Sequence, residues 1–221
     1  DIIACNGIRT ANKILACGWP AEKVRVVEAI RYAYLREILG SPKTKKKDLI
    51  LVIFSIDAME SSAILNMVCD AFAGLCDLEI WLKPHPFLPI DSVFTLAGRK
   101  KEEIPFPVKE GPISKLLKEA RIVIAGESGV SLEALSFNCD VISANVPEWV
   151  NMSPLKNVPA SMVWTVNSPE ELRRVALNLL TADETVLSET REREISKIIN
   201  DFFCLRWDDS YPEKFMCLMN S

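Results

Sequence analysis

The one histidine of the chain, His85, stands in the run Lys83-Pro84-His85-Pro86, directly after the apolar stretch Leu78-Glu79-Ile80-Trp81-Leu82. An imidazole can donate to a phosphate oxygen or carry a proton near neutral pH. In an open α/β sheet such a group belongs past the carboxyl end of a strand, where ligands bind. Each proline holds the residue before it in extended backbone, so Lys83 and His85 are aimed with little freedom. A structural histidine in a proline-stiffened loop would carry the same four residues. The remaining candidates decide between the two.

The second candidate is Gly126-Glu127-Ser128-Gly129-Val130-Ser131-Leu132-Glu133, which follows an apolar run and opens a helical pattern. A glycine-bracketed turn from strand to helix lets backbone N–H groups approach an anion at the positive helix end. Ser128 is a candidate cap for that helix, and its hydroxyl suits a phosphate oxygen equally. Ser131 lies in the same turn. Glu133, four residues past Gly129, is expected on the same side, where a carboxylate would accept hydrogen bonds from ribose hydroxyls. Alone this segment reads as an ordinary capped helix. Paired with His85 at another strand end, it reads as half of an anion site.

Two weaker candidates share that sheet edge. Ser55-Ile56-Asp57 follows the first long apolar run, with simple helix capping as its plainer role. Lys109-Glu110-Gly111-Pro112-Ile113 is a turn before a helix, suited to lie beside a nucleobase. Other chemistries are not supported. The seven cysteines form no C-x-x-C pair and one histidine is available, so no zinc site of ordinary spacing can be written. No G-x-S-x-G elbow and no D-x-D metal motif occur, and nothing locates an acid for a triad on His85. Asp208-Asp209 reads as surface. The net charge of −4 argues against non-specific nucleic-acid binding. Aromatic residues are not interleaved with basic ones as a single-strand binder requires. No run reaches membrane-spanning length. Cysteines in apolar segments fit a reducing cytoplasm, so the expectation is a cytoplasmic protein, at most peripheral to the inner membrane.

The elements that must position these groups alternate from about Asp48 onward. Leu49–Phe54 is a continuous apolar run, as in a strand buried on both faces. Asp57–Gly74 has helical spacing with Ile64, Leu65, Val68 and Phe72 on one side. Strands are expected at Leu78–Leu82, Ile122–Ala125, Asp140–Ala144 and Met162–Val166. Helices are expected at Ile113–Ala120, Val130–Phe137, from Ser168 onward, and over Glu184–Phe203. This alternation predicts an α/β fold, a Rossmann-like doubly wound parallel sheet. Residues 1–40 differ: a strand at Asp1–Ala4, a helix at Arg9–Cys17 closed by Gly18, and Val24–Leu39 as one helix or a strand plus a helix. The expected division is a tail of a preceding domain over 1–40, a lysine-rich linker over 41–47, and a nucleotide-binding domain with its terminal helix over 48–221.

The order of a strand, Lys-Pro-His-Pro, a helix, a strand, Gly-Glu-Ser-Gly-Val-Ser-Leu-Glu-Ala-Leu and Cys139-Asp140-Val141-Ile142 resembles the nucleotide-binding, C-terminal half of GT-B glycosyltransferases. Within that fold it is most similar to bacterial surface-carbohydrate enzymes: CMP-sialic acid and CMP-Kdo transferases and CDP-glycerol glycerophosphotransferases. The resemblance covers about residues 48–203. It implies that His85, and Ser128 with Gly129, contact the donor's phosphate, and that Glu133-Ala134 matches a Glu-Ala pair of such domains. Lys83 would add charge and no metal would be needed. It implies a CMP- or CDP-linked sugar donor, an acceptor carbohydrate held by a domain absent here, and nucleotide binding without transfer by this chain alone. A UDP-sugar enzyme of the same fold, transferase or 2-epimerase-like, and a non-catalytic degenerate module are the alternatives.

Overall fold

The computed structural model describes residues 1–42, 45–126, 128–146, 153–159, 161–182 and 189–205. Glu127, Lys43, Asp208, Asp209 and Cys217 lie outside the described residues. The chain forms two units, one over Lys43–Thr185 and one built from Asp1–Pro42 with the C-terminal helix.

The first unit opens with β1 (Ile3–Cys5), α1 (Ile8–Ala16) and β2 (Val24–Val26). The two strands pair in parallel, Ile3 with Val24 and Cys5 with Val26, so α1 is their crossover. Gly18 at φ +89 supplies the left-handed residue that turns the chain after α1. The alternative of a strand plus helix for 24–39 is the one adopted: β2 is followed by a tight turn at Ile30–Tyr32 and by α2 (Leu35–Gly40). The larger unit runs β3 (Lys47–Ile53), α3 (Ala58–Ala71), β4 (Glu79–Lys83), α4 (Ile90–Leu96), α5 (Ile113–Glu119), β5 (Ala120–Ala125), α6 (Val130–Ser136), β6 (Asp140–Ala144), β7 (Val163–Val166) and α7 (Pro169–Thr181). Last comes α8 (Glu189–Phe202).

The terminal helix, expected with the 48–221 domain, packs instead against α1 in the first unit. The cause is backbone pairing just beyond it. Cys204 N–H donates to Asn6 O, and Ala29 N–H donates to Cys204 O at 2.9 Å. Phe203 stacks on Tyr32 at 3.9 Å between centroids, and the Arg9 guanidinium covers Phe202 at 4.3 Å. Gly7 leaves room for this return, since a Cβ there would run into the Phe202 carbonyl and stand 2.9 Å from Phe203 N.

The five strands of the larger unit form one parallel sheet in the order β4-β3-β5-β6-β7. The apolar runs that predicted buried strands fill its centre: Leu49 to Ile53 and Ile122 to Ala125 are all 3% exposed or less. α3 lays Ile64, Leu65, Val68 and Phe72 into the core as its spacing predicted. The lysine-rich linker is shorter than expected, because Lys47 already belongs to β3. Lys46 donates to Leu117 O at the end of α5, and Lys47 pairs with Glu119 at 2.6 Å. α4 was not expected from the sequence, where seven residues between proline and glycine give too few turns to show a period. Among the described residues, no helix is long and apolar enough to cross a membrane.

At the amino edge of the sheet, Arg121 ties three elements together. Its guanidinium bonds Asp48 at 2.6 Å and the carbonyls of Leu179 and Ala182 at the end of α7, both at 2.6 Å. A cation at a helix C-terminus satisfies carbonyls that have no partner within the helix. Arg121→Ala is expected to lower unfolding stability by about 2 kcal/mol, the scale of hydrogen bonds to a charged group, measured by urea denaturation.

Candidate functional site at the sheet switch point

The strand registers align Lys83, Ile53, Ala125, Ser143 and Thr165 in one row across the sheet. The predicted residues follow just past this row: Pro84-His85 after β4, Ser55 after β3, and Gly126 with Ser128-Gly129 after β5. Chain order along the sheet reverses between β3 and β5. Crevices at such a switch point, outside the carboxyl ends of the strands, are where open α/β sheets hold ligands. With β3 between them, the β4 and β5 ends are about 10 Å apart. A ligand with several polar groups can therefore engage both.

His85 is half-buried. Its Nδ1 accepts from Phe87 N–H at 3.2 Å, and its carbonyl accepts from Leu88 N–H at 3.0 Å. With Nδ1 accepting, the proton of the neutral ring sits on Nε2, which can donate outward. Lys83 folds back to donate to Pro84 O at 3.1 Å, so its charge stays beside the same turn. The segment 107–109 lies along the outer edge of β4: Leu82 N–H donates to Pro107 O at 2.9 Å and Lys109 N–H to Leu82 O at 2.8 Å. Lys109 covers the Trp81 ring at 4.4 Å. The exposed Glu110 and Gly111, at φ +99, therefore turn at the same end of the sheet as His85.

The β5 loop differs in detail from the expectation. Ser128 does not occupy the cap position of α6; Gly129 does, without a side-chain cap bond. Ser128 stands one residue earlier and closes a serine turn, its Oγ accepting from Val130 N–H at 3.3 Å. Ser131 is fully buried and donates to Ser128 O at 2.5 Å, so its hydroxyl is spent inside the turn. Glu133, expected to face a ribose, is 5% exposed in α6, whose residues from Ser131 to Ser136 are all buried.

The sequence reading missed one residue between the β3 end and the β5 end. Glu60, in the first turn of α3, is 6% exposed. Asp57 caps α3, accepting from Met59 N–H at 2.8 Å and Glu60 N–H at 2.9 Å. In an ordinary capping box the carboxylate three residues on would receive the N–H of the cap residue. Here Asp57 N–H donates to Ser55 Oγ at 3.1 Å, and Ser55 Oγ donates to Glu60 Oε2. The carboxylate reaches across to Gly126, where any Cβ would overlap Glu60 Oε1 and stand 2.7 Å from its Cδ and 2.8 Å from Ile64 Cδ1. The readable signal was the spacing Glu60, Ile64, Val68, which puts the acid on the buried face of α3.

No family model matches the sequence. No curated protein matches it either. Solved structures do match. The Staphylococcus aureus MnaA–UDP co-structure is similar at a TM-score of 0.61 and 16% identity, covering 100% of this chain and 59% of that one. A glycosyltransferase from Rickettsia africae gives 0.58 and 14%, covering 99% and 62%. The wall teichoic acid polymerase TagF with CDPG gives 0.53 and 14%, covering 99% and 56%. The chain thus spans about 59% of the length of the first of these. At these identities the likeness is one of fold: an α/β half of the GT-B type.

The single histidine makes one check unambiguous. At a pH where the ring is neutral, a long-range proton–nitrogen spectrum is expected to show the Nε2–H tautomer, with Nδ1 as acceptor. The Nδ1–H tautomer would mean that the Phe87 contact does not hold the ring.

Proposed function

We propose that this chain is the donor-binding part of a nucleotide-sugar enzyme of the glycosyltransferase kind, acting in surface-polysaccharide synthesis. The observation that carries the proposal is the convergence of the half-buried His85, whose Nδ1 is taken by Phe87 N–H, with Gly126 and Ser128-Gly129 at one switch point. The similarity to proteins whose printed descriptions name UDP, CDPG and glycosyl transfer supports it. The half-exposed His85 also argues against a degenerate module, in which the crevice would be packed shut.

The donor's phosphate lies between the β4 and β5 ends. His85 Nε2–H and the Ser128 turn donate to its oxygens, with Lys83 adding positive charge nearby. As the bond from sugar to phosphate breaks, negative charge grows on the leaving phosphate. Donors fixed in advance stabilise that charge at no reorganisation cost. The Glu110-Gly111 turn lies beside the base. No metal enters this scheme, and a carbohydrate acceptor would come from a further domain.

The motif order favours a cytidine nucleotide, whereas the likeness to a UDP-bound structure keeps the uridine reading alive. Calorimetric titration of CMP, CDP, UMP and UDP separates them. Binding of one pyrimidine series is expected, weakened at least about tenfold in His85→Ala, as loss of one charge-assisted hydrogen bond requires. Equal affinity in the variant, or no binding by the chain or by a longer form containing it, would remove the proposal. A second expectation concerns turnover: this chain alone binds donor without transferring sugar. Sustained transfer from a radiolabelled donor would overturn that part.

A further inference from the structure

We infer that Glu60 is the positioning residue of this site. It holds the turn after β5 in its anion-receiving shape by bracing the β3 end against the β5 end. The inference rests on the nucleotide-binding reading for its functional consequence, but its structural part stands without it.

Three observations converge. The carboxylate is nearly fully buried on α3, in a place where an apolar side chain would pack at less desolvation cost. It takes the hydroxyl proton of Ser55, which in turn takes the N–H of the cap residue Asp57, so the acid, the β3 end and the start of α3 form one chain of hydrogen bonds. Its other oxygen lies against Gly126, the first residue past β5, where an added Cβ would force the carboxylate to shift. Ser61 Oγ closes the same corner by donating to Ser55 O at 3.2 Å. Helix capping explains Asp57. It does not explain why the acid is diverted through Ser55 onto a different strand's loop. That detour couples the two strand ends that flank the switch point. It also ties the first residue past β5 to the first turn of α3.

The test uses the whole chain with Glu60→Gln, Glu60→Ala and Ser55→Ala. Amide proton–nitrogen spectra are recorded without nucleotide, and UDP and CDP are titrated by calorimetry. In Glu60→Ala, amide shifts should move at Ser55, Gly126 and Gly129 while the β6 and β7 amides stay in place. Affinity for whichever nucleotide the wild type binds should fall about ten- to a hundredfold, the scale of losing a support that fixes a site's geometry. Glu60→Gln, which keeps the shape and an acceptor oxygen, should restore most of that affinity. Ser55→Ala should perturb the same amides, and its effect should not add to that of Glu60→Ala. Unchanged 126–129 amides in both alanine variants would overturn the inference, as would shifts spread evenly over the sheet. If the wild type binds neither nucleotide, the functional reading fails, and the amide spectra alone still decide whether Glu60 positions the loop.

Discussion

The direct parallel pairing of β3 with β5 is the interaction on which the larger unit depends. Both strands are apolar on both faces, so each needs cover above and below. The connections leaving them go to opposite sides, one to β4 and one to β6. Where they part, no connection covers the strand ends, and a crevice opens. The His85 turn, Ser55 and the 126–129 loop gain their common location from this topology rather than from any contact among themselves.

Within that crevice, polar chemistry is divided between presentation and support. His85 spends Nδ1 on the backbone of its own turn and keeps its other nitrogen for donation. Ser128 and Ser131 close the β5 turn. Glu60 and Ser55 brace it from β3. The acid occupies the space a Cβ at 126 would meet, so a side chain there would displace it.

Much of this was legible in the sequence. The runs Leu49–Phe54 and Ile122–Ala125 announce strands buried on both faces, because no polar residue interrupts them. The proline-framed His85 announces a strand end. Lys109 to Ile113 could be read as a turn, but not as the neighbour of β4, since the edge bridge at Val108 is a long-range pairing with no local signature. Glu133 was placed by its distance from Gly129, whereas the burial of the whole of α6 from Ser131 to Ser136 is a tertiary fact that this spacing does not carry. Glu60 was hidden by its resemblance to a capping residue. Only the identity of the strand across from it reveals the second role.

The return of residues 203–205 to Asn6 and Ala29 has a temporal consequence. The smaller unit is discontinuous in sequence, so its first part emerges from the ribosome long before the helix that packs on it. Lys43–Thr185 is contiguous and can condense as soon as it is made. At about 5–20 residues per second, residues 1–42 wait on the order of 8–32 seconds for their partner. During that interval α1 lacks the helix that packs on it. Synthesis therefore sets the order of assembly, with the site-bearing sheet formed first and the smaller unit closed last. The backbone junction at Gly7, where no side chain can intervene, is the step that closes that unit.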